Sequence, residues 1–329
     1  MIKINKTLIL QTVAAAGGVL CALAATNVLN TAAFPFSRPK PPAGLVMERY
    51  GPTTVYAPTA TAAREGREDV QHARSRFRAL FGTQAPALVV VLVEDPEHLQ
   101  HMDLARLRPR GGRVLPFLTR TGLSASADSA MVAVPEQGDG DGKLLAHEAC
   151  HGYVAALADG VAGIGPVREG YGHDALPDWF DESIATLCES EERRAARRRY
   201  FRDHLNQRIP LTVFTHMPHP LSGAEVLDKL GIHDTPGQAS VQILTAERIR
   251  EALPDSDPML FYAQALSLGE FIEERMGEGE MHLLARSLAN SPDFGRALEE
   301  VHRAVPGIPA TVDALEAEWL RWVTQDASS

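Results

Sequence analysis

Residues 147–151 read His-Glu-Ala-Cys-His, and this segment has the residue types and spacing of a metal site. On a helix, His147 and His151 lie one turn apart on the same face, where both imidazoles can bind one ion. Imidazole ligands at about 2.0–2.1 Å suit Zn²⁺. Glu148 would face a water on the metal without binding the ion, and would act as general base. The spacing therefore predicts a site for one zinc ion.

The same five residues also fit two readings without chemistry. Histidines four positions apart can lie on a solvated helix face, or can be hydrogen-bonded residues of a buried helix. A helix is favoured in every case, because no proline interrupts the segment and its neighbours are apolar or helix-favouring, namely Leu144, Leu145, Ala146, Val154, Ala155 and Ala156. A second motif is needed to decide between these readings.

That second motif lies at residues 176–186, which read Leu-Pro-Asp-Trp-Phe-Asp-Glu-Ser-Ile-Ala-Thr. A catalytic zinc needs a third protein ligand and one open position, and Glu182 is the candidate. With HExxH, this Trp-aromatic-x-Glu-small-x-Ala segment resembles the gluzincin metallopeptidases, the thermolysin-like and aminopeptidase-like group of the peptidase MA clan. The resemblance implies that Glu182 binds the zinc. Two features depart from the family: Ser183 replaces the usual Gly, and a Gly-rich stretch at 160–172 lengthens the connection between the motifs.

The same resemblance gives roles to two further residues. Tyr262 matches a tyrosine whose hydroxyl stabilises the oxyanion formed at the scissile carbonyl. Glu189, seven residues after Glu182 on the same predicted helix, matches an acidic residue that accepts the free N–H of a ligating histidine. Each residue also has an ordinary reading. Tyr262 fits an interior aromatic residue with a solvated hydroxyl, and Glu189 opens a charged run that fits a solvated face.

The elements that would position these residues follow an α+β order. Strands come first: a strand or strand pair over 46–56, then strands over 87–93, 113–120 and 130–134, with helices over 59–81 and 97–107. Helices follow over 143–158, 178–201, 259–276, 280–289, 294–305 and 312–323. We therefore expect a thermolysin-like zincin sub-domain with a mixed sheet and the HExxH helix over 45–175. A mainly helical sub-domain over 176–329 would supply the third ligand.

The N-terminal residues predict export. Residues 1–33 combine Lys3 and Lys6 with an apolar stretch and an Ala-Leu-Ala site, which indicates a signal peptide or an N-terminal anchor. Residues 34–44 are proline-rich and fit a spacer. We expect a secreted or periplasmic protein that meets the membrane only if the N-terminal segment is retained.

The length, charge and cysteine content of the chain limit which classes of protein it can belong to. The chain has 329 residues, of which 45% are hydrophobic, and a formal net charge of −10. It can bury a large core, and it lacks the basic surface of a nucleic-acid binder. Beyond the N-terminal segment only Cys150 and Cys188 remain. They can pair, tying the two metal-bearing helices together, or stay as free buried thiols, and neither is expected to bind the metal.

These observations predict an exported zinc metallopeptidase that hydrolyses peptides or proteins by a zinc-activated water and a glutamate general base. The alternative is a catalytically inactive, peptidase-like binding module on the same scaffold.

Overall fold

A computed structural model describes residues 41–94, 102–109, 112–118, 123–124, 131–133, 144–160, 176–220, 228–229, 241–243, 251, 257–291 and 293–326. The chain divides into two units, Met1–Lys40 and Pro41–Ser329, and the described residues belong to the second. The predicted signal or anchor segment, most of the spacer and residues 161–172 of the Gly-rich stretch lie outside them.

Five strands form one mixed sheet in the order β1-β2-β3-β4-β5. The predicted strand pair is an antiparallel hairpin, β2 and β4 each run parallel to β3, and β5 is antiparallel to β4. The β-branched run of β3 is buried because this strand is central. The bounds are β1 Val46–Tyr50, β2 Thr53–Ala57, β3 Ala87–Val93, β4 Gly112–Leu118 and β5 Leu123–Ser124. A separate parallel pair joins β6 (Met131–Ala133) to β7 (Val241–Ile243).

The first helix, α1 (Ala60–Phe81), confirms the prediction at both ends. The Thr59 hydroxyl accepts a hydrogen bond from the Ala62 N–H and caps its start. Gly82 ends the helix in the left-handed conformation, with φ 65°, which glycine adopts at little cost. Of the predicted helix over 97–107, residues 102–107 are described, and only Leu104–Leu107 forms a short 3₁₀ helix.

The remaining described elements are mostly helical, as predicted. Their bounds are α2 Leu144–Gly160, α3 Asp178–Leu187, α4 Glu191–Asp203, α5 Leu211–Phe214, α6 Pro258–Met276, α7 Met281–Asn290, α8 Phe294–Ala304 and α9 Val312–Asp326. The α+β class is therefore confirmed: a small mixed sheet is followed by a mainly helical remainder.

The prediction of one continuous helix over 178–201 is wrong. α3 ends at Leu187, and α4 begins at Glu191 after a turn at residues 188–190. The Ser190 hydroxyl accepts a hydrogen bond from the Arg193 N–H, and two glutamates follow in the first turn of α4. Both features stabilise a new helix start. Glu189 therefore lies in a turn and not on the face of a helix shared with Glu182.

One hydrophobic cluster runs through both predicted sub-domains. α2 packs against α1, α3 and β4, whereas α6 packs against α3 and α4. Trp179 of α3 and Trp319 of α9 are among the largest fully buried side chains. The HExxH helix and the helix with the third candidate ligand are thus held by the main core. Among the helices that the structure describes, none has the length and apolar character needed to cross a membrane.

Candidate metal centre

α2 and α3 bring together the three residues that the sequence predicts as metal ligands. The Nε2 atoms of His147 and His151 are 3.1 Å apart. Glu182 Oε2 is 3.4 Å from the first and 3.7 Å from the second. The side chains of His147, His151 and Glu182 are only 6%, 14% and 3% exposed. The structure therefore confirms a buried group of three side chains that could hold a metal ion.

The spacing of these three atoms fits a tetrahedral ion. Bonds of about 2.0–2.1 Å in a tetrahedron place the ligand atoms about 3.3 Å apart, close to the separations seen here. Among the described residues, Glu182 Oε2 has no hydrogen-bond partner although it is buried. Its nearest charged neighbours are the two imidazole Nε2 atoms at 3.4 and 3.7 Å, and a cation between the three atoms would bind this oxygen directly. Two imidazoles and one carboxylate form a ligand set that suits Zn²⁺.

The charges of the site also favour a cation. Burial works against the charged form of His147, but contacts with Glu182 and Glu189 outweigh it and raise the pKa of His147 to about 9. The carboxylates of Asp181 and Glu182 likewise raise the pKa of His151 despite its burial. The two histidines hold the pKa of Glu182 well below its usual value, again against burial. In the metal-free site, protons on the two imidazoles thus balance the charge of the carboxylates. A divalent cation would take over this role and displace those protons.

Each candidate ligand histidine is oriented by a carboxylate on its other ring nitrogen. His147 Nδ1 is 3.0 Å from Glu189 Oε1, and His151 Nδ1 is 2.9 Å from Asp181 Oδ2. Such contacts fix the tautomer and leave Nε2 for the metal. The position of Glu189 is the one that its predicted role requires. The sequence analysis missed Asp181, although its place directly before Glu182 was an available signal.

Arg197 anchors Glu189 in the core. Its Nε and one terminal nitrogen each donate to the Glu189 carboxylate at 2.7 Å. The Glu189 side chain is fully buried, and Arg197 is 5% exposed. Burial raises the pKa of Glu189, but Arg197 and His147 outweigh it and leave the pKa far below its usual range. The reading of this charged run as a solvated face is therefore wrong for Glu189 and Arg197.

Tyr262 lies beside the ligands, near the start of α6. Asp257 caps this helix by accepting from the Leu260 N–H. The Tyr262 ring centroid is 6.3 Å from that of His147, and the Arg197 guanidinium lies 5.2 Å from the same tyrosine ring. Tyr262 is partly buried. The ring distances place it next to the candidate centre. Its predicted role in stabilising an oxyanion stays a prediction.

His219 is a member of the site that the sequence analysis missed. Its Nε2 is 2.9 Å from the Tyr262 hydroxyl and 3.5 Å from Glu182 Oε1. The His219 backbone N–H donates to Asp178 Oδ2 at 2.6 Å, which fixes its segment to the start of α3. Burial lowers the pKa of His219. No local motif marks His219, because only the fold brings it to α3 and α6.

Glu148 and the two cysteines complete the neighbourhood. Glu148 lies between the two histidines on α2 and is 6% exposed, and its role as general base stays a prediction.

Cys150 and Cys188 form a disulfide, with Cα atoms 6.4 Å apart. This observation decides between the paired and free thiols that the sequence left open.

Comparisons with known proteins add no assignment to this geometry. No protein-family model matches the sequence, and no curated protein is significantly similar to it. The functional conclusion therefore rests on the residues of the centre and on their order along the chain.

Proposed function

We propose that this protein is an exported, zinc-dependent metallopeptidase of the gluzincin type. One observation supports this most strongly. The Nε2 atoms of His147 and His151 and Glu182 Oε2 lie within 3.1–3.7 Å of one another on α2 and α3. The two histidines flank Glu148 in an HExxH segment, and the third candidate ligand follows on the next helix.

The chain offers a group for each proton and charge in peptide hydrolysis. Zinc held by His147, His151 and Glu182 would lower the pKa of a water molecule and polarise the substrate carbonyl. The Glu148 carboxylate would take the proton of the attacking water and pass it to the leaving amine nitrogen. The Tyr262 hydroxyl would donate to the carbonyl oxygen as that oxygen gains negative charge.

The surrounding residues would hold these groups in place. Asp181 and Glu189 each contact Nδ1 of a ligand histidine, so both Nε2 atoms stay directed at the centre. In the tautomer with its proton on Nε2, His219 donates to the Tyr262 oxygen and leaves the tyrosine O–H for the substrate.

Export is part of the proposal. Disulfides form and persist mainly in oxidising compartments, and the Cys150–Cys188 bond is consistent with the predicted N-terminal signal or anchor. The partner would be a peptide or protein, because the centre suits amide hydrolysis and the acidic chain does not suit nucleic acid.

The test is metal analysis of the purified protein followed by cleavage of casein and quenched peptides, with and without a chelator. Glu148→Gln should keep zinc and lose about 10²–10⁴-fold in turnover, because it removes the base and no ligand. Glu65→Gln, an exposed change on α1, is the matched control and should keep full activity. Full activity in Glu148→Gln would rule out the assigned base. Zinc binding without cleavage would favour the inactive binding module.

A further inference from the structure

The disulfide joins two parts of the metal centre. Cys150 lies on α2 directly before His151, and Cys188 lies directly before Glu189 in the turn after α3. Both cysteines are fully buried, and they are bonded to each other. The bond therefore ties the helix with two ligands to the segment that supplies the carboxylate for His147.

Side chains of α1 and α4 also contact this turn. From α1, the Arg76 side chain donates to the Leu187 carbonyl at 3.2 Å, and His72 Nε2 is 3.4 Å from the Glu189 carbonyl oxygen. From α4, Arg197 holds the Glu189 carboxylate. The hydrogen bond of His147 with Glu189 and the disulfide itself both join the turn to α2. The covalent bond thus keeps the turn close to α2, where the hydrogen bond between His147 and Glu189 forms.

We propose that the Cys150–Cys188 disulfide is a positioning element of the metal centre, which increases zinc affinity by holding Glu189 against His147. Groups that orient a ligand histidine typically change metal affinity about 10–100-fold. The disulfide orders the turn before the metal binds. Zinc binding then does not include the entropic cost of ordering this turn, and the affinity is higher. Since it concerns the same centre, this inference rests on the proposed function.

A double-mutant cycle tests it in the full chain, with zinc affinity measured by competition against a chromophoric chelator. Cys150→Ala/Cys188→Ala should weaken zinc binding about tenfold or more. The background Glu189→Leu/Arg197→Leu removes the carboxylate and its guanidinium together, so neither member of this ion pair is left buried without the other. In that background, opening the disulfide should change zinc affinity less than twofold or so, because the positioned group is gone.

A purely structural disulfide gives a different pattern. Its removal would lower the melting temperature of the metal-free chain but leave the zinc affinity of the folded protein unchanged. Leu298→Ala, at a buried position of α8, is the control for stability, and should lower the melting temperature without weakening zinc binding. Equal zinc affinity with and without the disulfide, or equal losses in both backgrounds, would overturn the inference and leave the proposed function standing. A chain that binds no zinc would overturn both.

If the alanine pair does not fold, the wild-type protein can be reduced with a phosphine below its melting temperature. Thiol counting then confirms the reduction, and circular dichroism confirms that the fold is intact. The reduced protein should bind zinc about tenfold more weakly than the oxidised protein. An unchanged affinity would overturn the inference by this route as well.

Discussion

Arg197→Leu perturbs the charged core that supports the metal centre. The change removes two charge-assisted hydrogen bonds of 2.7 Å from the Glu189 carboxylate, whose side chain is fully buried. Arg193 Nε lies farther away, 4.0 Å from Glu189 Oε1. The carboxylate would therefore stay buried without its main cation.

The expected cost is large. Removing one partner of a buried ion pair typically destabilises a protein by about 3–5 kcal/mol, because the other charge stays buried. Arg197→Leu also removes the guanidinium beside the Tyr262 ring, a contact worth about 0.5–2 kcal/mol. Glu189→Gln/Arg197→Leu should recover most of the loss, because both charges of this pair are removed and the amide oxygen of glutamine can still accept from His147 Nδ1.

Denaturant unfolding of the chelator-treated protein measures these differences. Arg199→Leu removes an exposed arginine from the same helix and is the matched control, with an expected change within about 0.5 kcal/mol. If Arg197→Leu unfolds at the same denaturant concentration as Arg199→Leu, or if the double variant is no more stable than Arg197→Leu, the reasoning from buried charge is refuted.

Three further predictions follow from the same structure. The pKa of His147 is raised to about 9, above its unfolded value of about 6.5, so protonation of His147 stabilises the metal-free chain below pH ~6.5. This stabilisation is lost as the pH rises through ~9. Denaturant unfolding across that range should therefore show falling stability, and a rise in stability would contradict the prediction. Tyr262→Phe removes the hydroxyl that contacts His219 and should lower kcat about 10²–10³-fold with zinc affinity unchanged, so that steady-state kinetics with full kcat would exclude the oxyanion role. Gly269→Ala would place a Cβ 3.2 Å from Ser183 Cβ at the crossing of α6 and α3, and should cost about 1–3 kcal/mol in thermal unfolding, whereas an unchanged melting temperature would show that the crossing is not tightly packed.

Local patterns predicted most of the elements that surround the centre. The apolar run of β3, the cap residues of α1 and the spacing of HExxH each determine a structure over a few neighbouring residues. They were sufficient to place His147 and His151 on one helix face. The convergence of Glu182 with them depended on a motif in the sequence, and the structure confirms it.

The parts that were wrong or missed depend on contacts between distant residues. The predicted helix over 178–201 includes residues 188–190, where the chain forms a turn and Ser190 caps the start of a second helix. His219 joins the centre only because α3 and α6 meet beside it. The burial of Arg197 likewise depends on a carboxylate from another element, so its place in the charged run indicated a solvated residue.

The most direct test of the metal centre is X-ray diffraction from crystals of the zinc-loaded protein at energies on both sides of the zinc absorption edge. A single anomalous peak should lie within about 2.0–2.2 Å of His147 Nε2, His151 Nε2 and a carboxylate oxygen of Glu182. A peak elsewhere, or none between these three side chains, would contradict the assignment.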